Sequence, residues 1–482
     1  MKKKSTFQVA KSDFSLVIFG ASGSLAKLKL LPSIYELAVE GRLPKDYQIV
    51  GYARTPMTQN EFHDFFEKAV RTAHELVDEK ILKGMKKHIH YHSGQYDKAE
   101  DYKGLLKFLR SIETNKNRVR ITYFSVPPSA YAPIFKNLGE LNFNTRKSAL
   151  RLIIEKPFGY NHRSAKKLKR VLKKYFDEDQ IFLLDHYLGK EAVSNLLSLR
   201  YANSILSTLM SREYVSNIQI TAYETKDIEG RANYFDNVGI MRDMVQSHLL
   251  QVMAYLTMSA PKEETALAVH NEKTRVLESI VMNPKSVVRG QYEGYKKGKG
   301  IDPNSTTETF AALKLKTRHP LWKGVPIYFR TGKALSHKWT AIVIEFKPQL
   351  AQKNKDIEPN RLVIQLQPFE KIEFHMLTKL GGKTFDFHDL TTGRPIYCSG
   401  DCLSEHGRLF LDVLEGKQDL FLNFDEIFAA WRVIDPIQKL CDRSKKKQCI
   451  PKLYKRGSLG PKEIDKLLEE DGFTWFNSFP NS

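Results

Sequence analysis

Six short apolar runs fall in the first 185 residues, at 15–20, 48–52, 88–91, 119–124, 150–154 and 181–184. Stretches of helical spacing lie between most of them, at 59–77, 102–112, 129–138 and 161–176. A strand that returns through a helix pairs most readily in parallel with the strand it left, because the crossover restores the chain direction. The alternation therefore predicts a doubly wound, Rossmann-type parallel sheet over residues 1–185. Beyond residue 185 it stops. Long helical stretches at 192–210 and 238–258 give way to β-rich runs at 309–315, 325–330, 341–346 and 362–367 with no helices between them. Late helices at 409–414 and 425–440 are expected to close this part. The fold class that follows is α/β plus α+β, with a larger C-terminal domain over 186–482 built on a mostly antiparallel sheet.

A chain of 482 residues exceeds what one hydrophobic core organises, which agrees with a division into two domains or three. Its 76 Lys and Arg against 55 Asp and Glu give a formal charge of +21, which favours anionic partners. The lysine runs at 2–4, 166–174, 296–299 and 445–447 are dispersed, and no nucleic-acid-binding signature accompanies them, so nucleic acid is not an expected partner. The apolar stretch 249–258 is too short to span a bilayer, and the basic N-terminus lacks the apolar core of a signal peptide; a cytoplasmic protein with no membrane partner is expected. Cys398, Cys402, Cys441 and Cys449 have neither zinc-site nor redox-pair spacing, so reduced thiols and no metal are expected.

Gly20-Ala21-Ser22-Gly23-Ser24-Leu25-Ala26 follows the first apolar run and opens a helical stretch, the context a dinucleotide-binding turn requires. Gly20 allows the tight turn, Gly23 lets backbone approach a pyrophosphate, and Ala26 permits close packing of helix on strand. The second run ends in Arg54 where an NAD-selective fold usually has an acidic residue, and a planar cation there suits a 2′-phosphate, so NADP is preferred. In Glu155-Lys156-Pro157-Phe158-Gly159, Pro157 restricts Lys156 to extended conformations and helps aim it; a surface lysine in a turn is the alternative. DHYLGKE, residues 185–191, begins where an apolar run ends. It reads either as a ligand cluster at a strand's carboxyl end or as a helix start with Asp185 as N-cap. His248 lies in GIMRDMVQSHLLQ about one and a half α-helical turns after Asp243. It reads either as a general base or as a satisfied core histidine.

GASGSLA, GYAR, GQYD, EKPFG, DHYLGKE, EGRANYFD, GIMRDMVQSHLLQ, NSTT, RTGKAL and LDVLEGKQDLF stand in the order in which they occur in the glucose-6-phosphate dehydrogenase family, and the chain resembles that family over about its whole length. The resemblance implies NADP-dependent oxidation of glucose 6-phosphate at C1, the step that opens the oxidative pentose phosphate pathway. It implies that His248 is the general base and Asp185 its orienting carboxylate. His186, Tyr187 and Lys190 correspond to the substrate-phosphate cluster, Glu224 and Asp243 to ligands of sugar hydroxyls, and Lys333 and Lys338 to further cationic substrate contacts. Lys156 corresponds to a residue that touches both substrate and cofactor. Gly20, Ala21, Ser22, Gly23, Ser24, Leu25, Ala26, Lys27, Arg54, Tyr96 and Tyr131 fall in the cofactor site.

Three positions depart from the family pattern. Ser24 replaces an aspartate but keeps capping capacity. Gln365 stands where animal enzymes carry an arginine of a second, structural NADP site, which argues against that site here. Lys338 stands where some members have arginine, so a point charge replaces a planar fork. The resemblance also implies a homodimer or homotetramer joined through the β-rich domain. Two alternatives weigh against this reading: the same fold acting on free glucose or another hexose phosphate, and a basic binding protein with an inactive cofactor fold. The cluster around Lys190 argues for a phosphate and so against free glucose; the joint presence of Asp185 and His248 argues against a binding protein.

Overall fold

A computed structural model of the protein describes residues 12–115, 118–141, 143, 150–228, 230, 232–348, 358–379, 387–395, 403–442 and 449–479. The chain forms two compact units. The first draws on 1–159, 163–189 and 398–424, the second on 160–162, 190–397 and 425–482. The chain passes between the units at several points, and the crossing nearest the residue 185 boundary expected from the sequence falls between Gly189 and Lys190, inside DHYLGKE.

The first unit is built on β1 (Phe14–Phe19), β2 (Tyr47–Ala53), β3 (Ile89–Ser93), β4 (Val119–Phe124), β5 (Leu150–Glu155) and β6 (Ile181–Leu184). They form one parallel sheet in the order β3-β2-β1-β4-β5-β6. The order reverses at β1, which opens a crevice between the carboxyl ends of β1 and β4, where ligands of such sheets bind. Every residue of β1 is buried, as a strand with both faces covered requires. Gly20 follows it at φ +83, its N–H bonded to Tyr52 O at 2.8 Å, and a Cβ there would run into the Ser125 carbonyl. The helix after the turn opens at Ser24 and is π-helical over Ala26–Leu30 before continuing as Leu31–Val39. Pro32 explains the interruption: it has no N–H to return to the preceding turn, so the ladder widens.

Two expectations for this region change. The helical stretch 59–77 ends at Ala73, and a separate helix, Glu79–Lys86, starts from Asp78, whose carboxylate accepts from Lys80 N and Ile81 N. The helix expected at 409–414 runs over Glu405–Glu415 and closes the first unit, not the second. Its buried Leu409, Phe410, Val413 and Leu414 share one core with Leu16, Ile18 and Leu37.

The second unit carries β7 (Val215–Tyr223), β8 (Ile280–Tyr292), β9 (Phe310–Thr317), β10 (Ile327–Gly332), β11 (Trp339–Phe346), β12 (Arg361–Gln367), β13 (Lys371–Lys379), β14 (Phe387–Pro395) and β15 (Lys452–Tyr454). Their order is β14-β13-β12-β11-β7-β10-β9-β8-β15, antiparallel except for β7 with β10 and β8 with β15. β8 was not foreseen because it is half exposed and contains Pro284; a register shift between Met282 and Val287 absorbs the proline. The stretch 192–210 breaks into helices Glu191–Tyr201 and Ser204–Leu209. Among the described residues no helix is long and apolar enough to cross a membrane. Cys441 and Cys449 form a disulfide, against the expected thiols, because the chain brings their Cα atoms to 5.0 Å, inside the range a bridge needs. Cys398 and Cys402 lie outside the described residues.

The stretch expected as one helix over 238–258 is divided. Helix Ala232–Ile240 contains Gly239 at φ 71, a π-helical segment covers Met241–Leu249, and an α-helix follows over Leu250–Thr257. Glu308 holds the corner. Its carbonyl accepts from Ile240 N (3.0 Å) and its Oε1 from Met241 N (3.3 Å), while Arg289 Nε donates to Oε2 (3.2 Å). A Cβ on Gly239 would meet Oε1 at 2.5 Å, so the carboxylate is seated where only glycine leaves room.

Arg289 and Glu308 are 7% and 2% exposed, so Glu308→Gln leaves a buried guanidinium unopposed. The expected cost is roughly 3–5 kcal/mol of stability; an unchanged denaturant midpoint in equilibrium unfolding shows that the pair does not hold the corner. Gly20→Ala forces both a left-handed alanine and a backbone clash, an expected loss of at least about 2 kcal/mol. A Gly20→Ala protein with the parent melting temperature removes the requirement for glycine at this turn.

Candidate active site

In the first unit the turn after β1 is closed by Gly23 N–H on Gly20 O (2.9 Å) and Lys27 N–H on Gly23 O (3.1 Å). Ala21 and Ala26 are fully buried, and larger side chains there would push helix from strand. Ser24, the departure from the family's aspartate, is exposed, and Ser22, Gly23, Leu25 and Lys27 are partly so. Ser22 Oγ lies 3.3 Å from Thr55 Oγ1, tying this turn to the end of β2. The neighbouring Arg54 is exposed, its guanidinium 5.4 Å from the centre of the Tyr96 ring. Tyr96 is itself fixed through its carbonyl, which accepts from Tyr102 Oη and Asn137 Nδ2. Tyr131 is buried, and its hydroxyl donates to Glu155 O at 3.0 Å, which makes it a support of the β5 end. The turn and Arg54 thus offer N–H groups and a planar cation side by side, a donor set that fits the phosphates of a dinucleotide.

At the other side of the sheet β5 and β6 pair with Glu155 opposite Leu184, so Lys156 and Asp185 are each the next residue off a strand end. The peptide bond between Lys156 and Pro157 is cis. Glu155 is buried; it accepts from the Tyr123 hydroxyl, and its Oε2 lies 3.1 Å from His186 Nε2. Burial alone would push the carboxyl up, but the bond from His186 and its charge hold it below the usual range. Burial pulls the His186 imidazole down, and Glu155 outweighs it and raises it above the ordinary value. The His406 ring sits 4.5 Å from that of His186, and burial followed by His186's charge drives its pKa down to about 4.

Asp185 is buried; its Oδ1 accepts from Tyr187 N (3.0 Å) and its carbonyl from Leu188 N (3.1 Å). These bonds define a local turn. The helix starts at Glu191 with Lys190 as its N-cap residue, so residues 185–189 precede the helix and Asp185 does not cap it.

The second unit presents its polar group at the ends of its own parallel pair. Gly332 of β10 is in register with Tyr223 of β7, which sets Lys333 and Glu224 next to each other one residue beyond. Lys333 Nζ bonds Glu224 Oε2 and lies 3.8 Å from Asp243 Oδ2 and 5.3 Å from the centre of the Phe235 ring. The following turn contains Ala334 at φ 55, fixed by Ala334 N–H on Lys226 O and Gly457 N–H on Ala334 O. Lys338 is exposed, and among the described residues no hydrogen bond or ion pair joins it to this group. His248, 3% exposed, shares the π-helical stretch Met241–Leu249 with Asp243. An i→i+5 ladder sets residues five apart roughly one turn apart, so the two lie closer to one face than the α-helical reading gave.

Three supports were not singled out from the sequence. Glu155 stands in EKPFG, where only Lys156 was read; its position at a strand's carboxyl end is the signal that marks it. Asp236 of EGRANYFD accepts from Tyr295 Oη (2.8 Å) and Ser305 Oγ (2.5 Å), and its carbonyl from Thr307 Oγ1 (2.6 Å), which is what NSTT does. His406 carries no local signal. Gln365 is buried, with Oε1 accepting from Trp339 Nε1 (3.1 Å) and Nε2 donating to Phe369 O (3.0 Å), so both ends of its neutral amide are engaged. A cavity of about 650 Å³ beside Leu206, Phe346 and Phe374 contains none of the candidate residues.

Comparison with known proteins bears on both units. Residues 17–195 match the family described as glucose-6-phosphate dehydrogenase, NAD binding domain, and residues 197–476 the one described as glucose-6-phosphate dehydrogenase, C-terminal domain. The chain is 36% identical over 477 residues to a glucose-6-phosphate 1-dehydrogenase of Emericella nidulans, covering 96% of this chain and 92% of that one. It is 36% identical over 490 residues to a chloroplastic enzyme of the same name from Arabidopsis thaliana, covering 96% and 84%. The solved glucose-6-phosphate 1-dehydrogenase of Mycobacterium avium superposes with a TM-score of 0.85 at 31% identity, over 98% of this chain and 100% of that one. A glucose-6-phosphate dehydrogenase solved with its substrate gives 0.89 at 31% identity, over 98% and 99%. With both units matched and the sheets of the expected type, the chain belongs to the glucose-6-phosphate dehydrogenase family of oxidoreductases.

Proposed function

We propose that the protein oxidises D-glucose 6-phosphate to 6-phospho-D-glucono-1,5-lactone with NADP as acceptor, the first step of the oxidative pentose phosphate pathway. The observation that carries this reading is the Glu224, Lys333 and Asp243 group at the ends of β7 and β10, in the same unit as the π-helical His248. Carboxylates and an ammonium so held suit sugar hydroxyls, which both donate and accept.

His248 takes the proton of the C1 hydroxyl as hydride leaves C1, and Asp185 is the catalytic carboxylate. A positioned base of this kind lowers the barrier by about 3–5 kcal/mol. The bound nicotinamide supplies the hydride acceptor. His186, Tyr187 and Lys190 hold the phosphate, with Lys338 and Lys156 as further cations; His186 suits this because Glu155 favours its charged form. Binding that remote dianion orients the reacting carbon. Gly20 to Lys27 hold the cofactor's pyrophosphate, and Arg54, stacked on Tyr96, takes the 2′-phosphate that separates NADP from NAD. The β-rich unit also carries self-association as a dimer or tetramer: among the described strands its sheet ends in β14, and an edge strand suits pairing with another copy.

His248→Asn is expected to lower kcat by about 10²–10⁴-fold while the dissociation constants for sugar phosphate and NADP stay near the parent values. Turnover close to normal in a stopped-flow assay removes His248 from the chemistry. Arg54→Ala is expected to cut the NADP-over-NAD preference in kcat/KM by about 10–100-fold, the scale of a lost charge-assisted contact. An unchanged ratio refutes the assignment, and equal rates on glucose and glucose 6-phosphate refute the phosphate cluster.

A further inference from the structure

Glu155, His186 and His406 gather in the first unit, yet the proposed reaction uses only His186. One carboxylate oxygen of Glu155 and one ring nitrogen from each histidine all lie within 4.8 Å of one another. We propose that these three residues form a site for a divalent transition metal of the zinc class, and that its occupation withdraws His186 from the substrate phosphate, inhibiting the enzyme competitively with glucose 6-phosphate. The inhibition rests on the dehydrogenase reading above; the metal site does not.

The donor set is two imidazole nitrogens and one carboxylate oxygen, which favours zinc-class ions over magnesium or calcium, whose preferred ligands are oxygens. Tetrahedral coordination at about 2.0–2.1 Å separates ligand atoms by roughly 3.3 Å. Glu155 Oε2 and His186 Nε2 already stand 3.1 Å apart, so an ion replaces the bridging proton with little movement of that pair. The widest gap in the trio closes by a shift of about 1.5 Å, within reach of a rotating His406 side chain.

Two further observations point the same way. His406 Nε2 is buried with no hydrogen-bond partner among the described residues, so an imidazole nitrogen that a protein ordinarily satisfies is spare here. Glu155 also has the outer support that metal ligands carry: the Tyr123 hydroxyl bonds its carboxylate and the Tyr131 hydroxyl its backbone oxygen. Three protein ligands leave a fourth position open, as in exchangeable rather than closed structural sites.

The test uses chelator-treated full-length protein titrated with Co²⁺, whose visible ligand-field bands report tetrahedral nitrogen and oxygen coordination, and with Zn²⁺ in the turnover assay. The expected result is one tightly bound ion per chain, weakened by glucose 6-phosphate, and Zn²⁺ inhibition relieved by raising that substrate. His406→Phe, at a residue outside the reaction machinery, is expected to keep metal-free turnover and lose at least about 100-fold in ion affinity, since removing even outer-shell support costs 10–100-fold. Glu155→Gln gives an independent variant should His406→Phe fold poorly, with the same loss of cobalt bands expected.

Absence of tetrahedral bands in the parent protein, or undiminished bands in both variants, overturns the site. Inhibition that glucose 6-phosphate does not relieve overturns the coupling through His186. A protein that takes up Co²⁺ as described yet oxidises no sugar phosphate overturns the dehydrogenase reading and leaves the metal site standing.

Discussion

Strands paired in parallel end side by side, and the residues just past their carboxyl ends emerge together with no partner strand to occupy them. The candidate residues follow this constraint in both units. Gly20 follows β1, Arg54 follows β2, Lys156 and Asp185 follow β5 and β6, and Glu224 and Lys333 follow β7 and β10. The second case is the more telling, because β7 and β10 are one of only two parallel pairs among the described strands of an otherwise antiparallel sheet. An antiparallel neighbour would have sent Lys333 to the opposite end of the sheet from Glu224. The ion pair between them follows from strand direction before it follows from charge.

Buried carboxylates stabilise the loops that these strand ends leave. Glu155 and Glu308 are 8% and 2% exposed, and each is matched by a cationic or cation-forming partner and a further hydrogen-bond donor. Such groups add little net stability compared with apolar packing, since desolvation offsets most of the Coulombic gain. Their effect is geometric: a carboxylate that must keep two partners fixes the backbone that carries them. Glu308 fixes the corner at Gly239, and Glu155 fixes the ring of His186. Asp236 acts similarly on the loop containing Ser305 and Thr307.

What could be read from the sequence follows from how each element is buried. Most strands of the first sheet were legible because strands covered on both faces read as near-continuous apolar runs, as FSLVIF and IFLL do. β13 and β14 were not, since β13 is half-buried and β14 largely exposed, and their polar residues mimic loops. The helix Glu405–Glu415 was legible as a helix but assigned to the wrong unit. An amphipathic stripe states that a face is buried and says nothing about the sheet it meets. The candidate site residues rest chiefly on the motif order, because the contact between Lys333 and Glu224 spans 109 positions and no local pattern encodes it. The disulfide was missed for a related reason, as its spacing belongs to no short motif and only the turn of the chain closes it.

The π-helical segments show how the chain adjusts side-chain phase after the strands have set direction. At about 100° per residue, an α-helix would place Asp243 and His248 roughly 140° apart, one toward the Lys333 group and the other away from it. The wider ladder over Met241–Leu249 brings residues five apart back toward a common face, at the expense of weaker packing along the helix axis. The segment over Ala26–Leu30 has a covalent cause in Pro32, but Met241–Leu249 contains no proline. Its cause lies at its start: the left-handed Gly239 breaks the preceding helix, and Glu308 captures both Ile240 N and Met241 N, so the new ladder begins from a fixed corner instead of inheriting α-helical phase. The orientation of the proposed base therefore depends on a carboxylate sixty residues away, Glu308, and on Arg289, which balances that carboxylate's buried charge.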